Sequence, residues 1–334
     1  MSNNAVLQRK VAFHEMPDMR IRAMWIVFAV LMAAAPLVFY PVLLMKLMCF
    51  ALFAAAFNLL MGYAGLLSFG HAAFFGAAAY VAGYVMKAWH FTPELGLVAG
   101  AATGVALGAI VGVLAIRRAG IYFAMITLAL AQMIYFAWLQ APFTGGEDGL
   151  QDVPRGKLFG VFDLTDDRAL YWVILAVFLG GLWLIHRTVN SPFGKILLAI
   201  RENEPRAISL GYDVARVKLL AFVLSAGLAG LAGAAKVLVF RFATLTDAAW
   251  NTSGEVVLMT LLGGLGTVTG PLVGASAIVV LQNELADKVG SWISVIMGLI
   301  FIFCVLVFRR GIVGELIALR RRLGIEDVRR HSPR

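Results

Sequence analysis

The sequence predicts an all-α polytopic membrane protein, with about eight full spans plus a broken or re-entrant helix pair, roughly eight to ten transmembrane helices in all. Three observations carry that expectation. Of 334 residues, 61% are hydrophobic and only 14% are charged, with a mean hydropathy of +0.87. No soluble domain of this size could present that composition to water. Apolar runs of about 20 residues, the length that crosses a bilayer, follow one another along the chain, and the charges gather in the short segments between them. The net charge of +9 therefore reports membrane orientation and not nucleic acid, because the basic residues lie in loops and tails rather than on one face. Cys49 and Cys304 sit inside apolar runs with no partner spacing, which supports neither a disulfide framework nor a metal site.

Residues 1–22, with Arg9, Lys10, Arg20 and Arg22 against Glu15 and Asp18, read as a cytoplasmic N-terminal segment. The apolar run from Ala23 onward is too long for a signal-peptide core, and Pro36 directly after three alanines disfavours cleavage, so the first span is retained. A single transmembrane domain is expected over 23–308. Its spans fall near 22–39, 41–62, 68–87, 95–116, 120–141, 169–187, 218–240 and 291–308.

Charge counting sets the sides. The loop 144–168 holds Glu147, Asp148, Asp152, Asp163, Asp166 and Asp167 against Arg155, Lys157 and Arg168, and reads as outside. The loop 188–217 and its flanks hold Arg187, Lys195, Arg201, Arg206, Arg216 and Lys218 against Glu202, Glu204 and Asp213, and read as inside, as do Arg117-Arg118 and the basic tail 309–334. Counting crossings from an inside N-terminus leaves the chain outside near Asp247, so residues 253–286 must enter and return. GGLG at 263–266 and Gly270-Pro271 break a helix there and suit either two crossings or a re-entrant pair. Gly100, Gly104, Gly108 and Gly112 recur every fourth residue, which lets another helix approach closely. A faint internal similarity links 59–79 with 261–277, of the kind transporters often contain.

The segment Arg187 to Lys218 predicts two short capped helices. Ser191 and Pro192 start the first, and Phe193, Ile196, Leu197 and Ile200 fall on one apolar face of it. Glu204 and Pro205 open the second, Gly211 closes it as a left-handed residue, and Asp213 caps the next span.

Other motifs weaken under inspection. No segment matches the phosphate-binding G-x-x-x-x-G-K-[ST] loop, so this chain has no ATP site of that type. GGLGTVTG lies amid membrane helices, where a helix break is the better reading than a dinucleotide loop. TGGEDGL at 144–150 serves as an exit turn. Intramembrane polar residues are few, and each is a functional candidate by default. Asn58 and His71 flank MGYAGLLSFG and can line a path or orient a bend; a histidine bonded to a neighbouring helix is the favoured account. Lys236 and Arg241 are expected to snorkel to the outer interface. Glu255 begins the broken segment, where it can meet a partner or a substrate amine, or simply start a helix. No catalytic triad, carboxylate pair or metal spacing recurs, and enzyme chemistry is unsupported.

NLLMGYAGLLSFGHAAFFGAAAYVAGY at 58–84, TGGEDGL at 144–150, RENEPRAISLGYDVARVKLLAFVLSAGLAGLAGAA at 201–235 and GEVVLMTLLGGLGTVTGPLVGA at 254–275 together resemble the M-type permease of the branched-chain amino acid ABC importers, over about residues 40 to 310. The resemblance implies a permease subunit of the bacterial inner membrane, both termini cytoplasmic. It would work with a second, H-type permease, two ATPase subunits that hydrolyse ATP, and a periplasmic binding protein that delivers a hydrophobic amino acid. No cofactor is implied. In such importers a cytoplasmic EAA-x-x-x-G loop docks on the ATPase. Here Pro205-Arg206-Ala207 with Gly211 falls at that spacing, with Pro and Arg replacing the first two letters and the acid one residue early as Glu204. ATPase coupling is therefore expected at Glu204, Pro205, Arg206, Ala207 and Gly211, and Asn58, His71 and Glu255 are candidate pathway residues. Urea and short-amide importers have similar permeases and remain an alternative. An ion-coupled secondary transporter would need buried carboxylates that are scarce here, and a membrane scaffold would not need broken helices.

Overall fold

Proline opens the helices that follow the sharp bends of this chain, because its fixed φ suits the first turn and its missing N–H would be unpaired there anyway. The computed structural model describes residues 18–37, 39–160, 162–289, 295–296, 298–300, 302 and 311–315. The segment 1–17, most of the expected last span 291–308 and most of the basic tail lie outside the described residues. Helix α1 (Asp18–Ala34) runs into a 3-10 turn, and α2 (Pro41–Asn58) into a π-helical turn, Leu59–Ala64. Then come α3 (His71–Ala88), α4 (Pro93–Ala115) and α5 (Ile121–Gln140). After a loop carrying the short antiparallel pair β1 (Lys157–Leu158) and β2 (Phe162–Asp163) follow α6 (Asp167–Val189), α7 (Pro192–Glu202), α8 (Glu204–Ser209) and α9 (Val214–Phe240). A 3-10 turn, Leu245–Ala248, precedes α10 (Trp250–Gly263) and α11 (Gly270–Val289). Among the described residues, five stretches are long and apolar enough to cross a membrane: Pro41–Ala64, Pro93–Ala115, Ile121–Gln140, Asp167–Val189 and Val214–Phe240. The chain is an all-α, multi-pass membrane protein.

The bundle has two distinct ends. At one, the acidic loop is pinned: Leu150 and Ala243 exchange backbone hydrogen bonds, and Arg155 donates to the Leu238 and Val239 carbonyls at 3.2 and 2.9 Å and to Asp167 at 2.6 Å. A cation that closes the last carbonyls of α9 satisfies groups no helical N–H can reach. At the other end lie α7 and α8. Trp25 meets His186 and Phe28 meets Phe178, while Tyr171 donates to the Met32 carbonyl, so α1 runs antiparallel to α6 and starts at the α7/α8 end.

Helix α9 is the central post, packed on α2, α3 and α4. The four-residue glycine spacing on α4 meets it in antiparallel register. A Cβ on Gly100 would fall 2.5 Å from the Ala234 side chain, and one on Gly104 would fall 2.4 Å from the Ala226 carbonyl oxygen. The other faces of α4 and α5 show Val98, Ile110, Ile121, Met125, Met133 and Phe136, all exposed, as helices bordering lipid should.

The broken segment resolves into a tight helical hairpin, with Gly263 and Gly274 of the two helices placed against Gly270 and Met259. Its turn emerges at the α7/α8 end, where Gly266 lies against Gly62 and Arg201. Helix α10 has 14 residues, about 21 Å at 1.5 Å per residue, too short to span alone. The irregular stretch from Phe242 to Ala249 leads into it, and α11 returns alongside, so the hairpin runs to the α7/α8 end and back. Gly311 sits against Gly264, at the α7/α8 end.

Candidate functional site

Two interruptions of helix meet at the α7/α8 end. In the first, α2 slips into its π-helical turn, Gly65 takes a left-handed φ of 72°, and the chain stays irregular until His71. The second is the turn after α10, where Gly264 and Gly266 have φ of 120° and 74°, values a side chain would oppose. Asn58, 1% exposed, joins the two. Its Nδ2 donates to the Thr267 carbonyl at 2.8 Å and its Oδ1 accepts from the Gly266 N–H at 3.0 Å. The approach is close enough that a Cβ on Gly62 would fall 2.7 Å from the Gly266 nitrogen.

Helix α7 is the third member of this node. Arg201 donates to the Gly62 carbonyl, its stem lies over Gly65 and its Nη1 borders Gly266. One side chain of α7 thus lies against both breaks. Beside them, an apolar hollow of about 420 Å³ lies between Gly65–Phe69 and the start of α5, Gly120–Leu128.

The α7–α8 pair is built as its sequence dictates. Ser191 accepts from the Gly194 N–H, Asn203 caps α8 by accepting from Arg206 at 3.1 Å, and Asp213 caps α9 by accepting from Arg216 at 3.1 Å. Gly211 takes φ 86°. Leu197 and Ile200 are buried, and Glu204 pairs with the buried Lys218 of α9 at 2.7 Å. Ala207, 2% exposed, packs inward against Ile200 and Val214. Pro205 opens α8 and Arg206 points to solvent. Beside the exposed Lys195, Glu202 and Arg206, the pair offers an apolar strip outward: Ile208, Leu210 and Tyr212 are 58%, 68% and 42% exposed.

The sequence profile of the family described as branched-chain amino acid transport system / permease component matches residues 41–306. The chain belongs to this permease family. It is 28% identical over 268 residues to the high-affinity branched-chain amino acid transport system permease protein LivM of Escherichia coli K12, and equally to that of Salmonella typhimurium LT2, covering 72% of this chain and 62% of either relative. The ribose import permease protein RbsC of Bacillus subtilis is 32% identical over 202 residues, 54% of this chain and 58% of its own. The chain thus spans less than two thirds of the length of these relatives. No solved structure matches it significantly.

Within this permease the residues singled out from sequence do not share one site. Asn58 belongs to the node. His71 lies deeper, with Nε2 2.8 Å from Ser225 Oγ, which itself donates to the Ala56 carbonyl at 2.6 Å. Since the serine hydrogen is committed, His71 Nε2 is the donor. Its ring is boxed by Phe57, Phe74 and Phe222, a packing role. His71→Leu removes one hydrogen bond, about 1 kcal/mol net, and is expected to leave substrate uptake within about threefold of the unaltered permease in reconstituted vesicles; abolished uptake would give the ring a part in translocation. Glu255 lies half-buried on α10, two residues after Ser253, which accepts from the Ala72 N–H at 3.0 Å.

Sequence reading missed two features. Arg201 was one basic residue among six in its segment, and only the fold directs it at the breaks. Lys236 does not snorkel: it is 7% exposed and bonded to Asp247, also 7% exposed. A lone lysine inside an apolar run was the visible signal, but its partner sat in what reads as an outer loop. Arg241 does cap the end of α9, with left-handed φ 63°, and donates to the Val153 carbonyl.

Proposed function

We propose that this chain is a permease subunit of an ATP-driven importer, forming with a second, H-type permease the inner-membrane pathway for branched-chain or other hydrophobic amino acids. The observation that carries the reading is the node: one side chain of α7 touches both helix breaks of a chain that lacks an ATP site of its own. In this reading α7 and α8 face the cytoplasm and seat on an ATPase, and the acidic loop 144–168 faces the periplasmic binding protein. Glu204 fixes α8 to α9 through Lys218, Pro205 and Gly211 set its two ends, Arg206 stands at the rim and Ala207 keys it from beneath. Ile208, Leu210 and Tyr212 enter the ATPase groove. Movement there passes through Arg201 and Asn58 to the two breaks, which close or open the pathway at its cytoplasmic end. The helices on both sides of the breaks are closely packed, so the irregular backbone is where a hinge can act.

The test is uptake of leucine into proteoliposomes holding the whole assembly, which should require ATP and the loaded binding protein. Uptake by this chain without ATPases would overturn the reading. For the docking surface, burying Ile208 and Leu210 contributes about 1.5–3 kcal/mol each, so Ile208→Ser/Leu210→Ser is expected to weaken ATPase retention at least tenfold in co-purification, whereas unaltered retention would move the contact elsewhere.

A further inference from the structure

A second polar cluster lies within the bundle toward the acidic-loop end, and the coupling node does not use it. Lys236 donates to both carboxylate oxygens of Asp247 at 2.5 Å. The rings of Phe240 and Phe242 cover its ammonium at 5.7 and 5.4 Å. Asp247 reaches this depth because the turn after α9 dips back into the bundle, where Gly76 of α3 admits Ala248: a Cβ on Gly76 would fall 2.5 Å from that of Ala248. One turn along α3, Tyr80 stacks on Trp138 with ring centroids 5.8 Å apart. Tyr80 is 1% exposed, and its hydroxyl has no hydrogen-bond partner among the described residues. Asp247 is within electrostatic reach of that hydroxyl. Lys46 of α2 lies within electrostatic reach of Lys236, Glu255 of α10 within that of Asp247, and the two within reach of each other, with Gln282 of α11 bonded to Glu255.

A tether between α9 and the following turn would need only Lys236 and Asp247, and a buried ion pair contributes little net stability because desolvation offsets the attraction. Here a buried ion pair, a buried hydroxyl unpartnered among the described residues and a further cation and carboxylate, drawn from separate elements, lie within electrostatic reach of one another. Charges inside a membrane domain are costly and are kept where they handle polar cargo, and a buried hydroxyl without a partner calls for one.

We propose that this cluster is a transit site for the zwitterionic head of an α-amino acid, with the ammonium received by Asp247 and Glu255 and the carboxylate by Lys236, Lys46 and the Tyr80 hydroxyl. An α-amino acid carries its two charges one carbon apart, so it can insert into the Lys236–Asp247 pair while every charge keeps an opposite neighbour. In its absence the pair closes on itself and the site is shut. Urea, a short amide or a sugar brings no such charges and leaves the pair closed. The inference rests on the amino-acid importer reading above and deepens it by naming what the pathway recognises.

Lys236→Met/Asp247→Leu removes both charges and keeps apolar volume, a replacement that buried ion pairs tolerate. With the full assembly in proteoliposomes, maximal leucine uptake is expected to fall at least about tenfold, while the concentration of loaded binding protein giving half-maximal uptake stays the same. Uptake within about twofold of the unaltered assembly would overturn the site. If the double variant does not assemble, Glu255→Gln decides: a fall of about threefold or more supports the site, and an unchanged rate overturns it. No ATP-driven leucine uptake by the unaltered assembly would instead overturn the importer reading, and the site with it.

Discussion

Gly104→Leu is expected to prevent the permease from accumulating in the membrane. A Cβ at this position would fall 2.4 Å from the Ala226 carbonyl oxygen and 3.1 Å from the Gly230 Cα. Both are backbone atoms of the central helix α9, so neither can rotate aside, and relief requires α4 to part from α9. Overpacking typically costs 1–3 kcal/mol when side chains can give way; with backbone on the far side the cost should reach about 3 kcal/mol or more. That is a large fraction of the stability of a typical domain. Gly180→Leu is the control, since nothing lies within 4 Å of a Cβ there. Detergent-extracted yield and thermal unfolding of the two variants should differ sharply. Equal behaviour would show that α4 and α9 are not packed in this register.

Asn58→Leu is expected to uncouple ATP hydrolysis from uptake. The side chain makes both of its hydrogen bonds to the turn after α10, one as donor and one as acceptor. An aliphatic replacement leaves the Gly266 N–H and the Thr267 carbonyl without those partners, at about 1–3 kcal/mol for each buried group left unpaired. It also fills the narrow space beside Gly62. The two breaks then lose their shared anchor, and uptake should fall at least about tenfold, the equivalent of 1.4 kcal/mol, while the assembly still hydrolyses ATP. Asn58→Asp keeps the acceptor for Gly266 but turns a carboxylate oxygen toward the Thr267 carbonyl in a buried position, so it should share the defect. The check is the ratio of ATP hydrolysed to leucine taken up. A ratio unchanged in Asn58→Leu would detach the breaks from coupling.

Local features of the fold were legible because their causes lie within a few residues. Ser191, Asp213 and Gly211 occupy the cap and turn positions their chemistry suits, and the apolar runs fall within a few residues of the observed helices. The glycine spacing on α4 announced a close neighbour but could not name α9. Ala207 matched a docking motif by spacing, yet its methyl faces Ile200 and Val214, a direction fixed only by how α8 folds onto α9. Asn58 and Gly266 are 208 residues apart, and nothing in either local sequence pairs them. Lys236 had the pattern of a snorkelling side chain until the following turn folded back and placed Asp247 against it.

By itself, the sequence determined the membrane class, the positions of most spans and the two capped helices at one end, all consequences of hydropathy and of hydrogen bonds closed within a turn. Only the tertiary structure decided that residues 250–289 fold as a tight helical hairpin, that both helix breaks share Asn58 and Arg201, and that the turn after α9 brings Asp247 back onto Lys236. Those outcomes depend on which helices approach closely enough for backbone to meet backbone. In lipid that is selected by steric fit and by the need of every buried polar group for a partner.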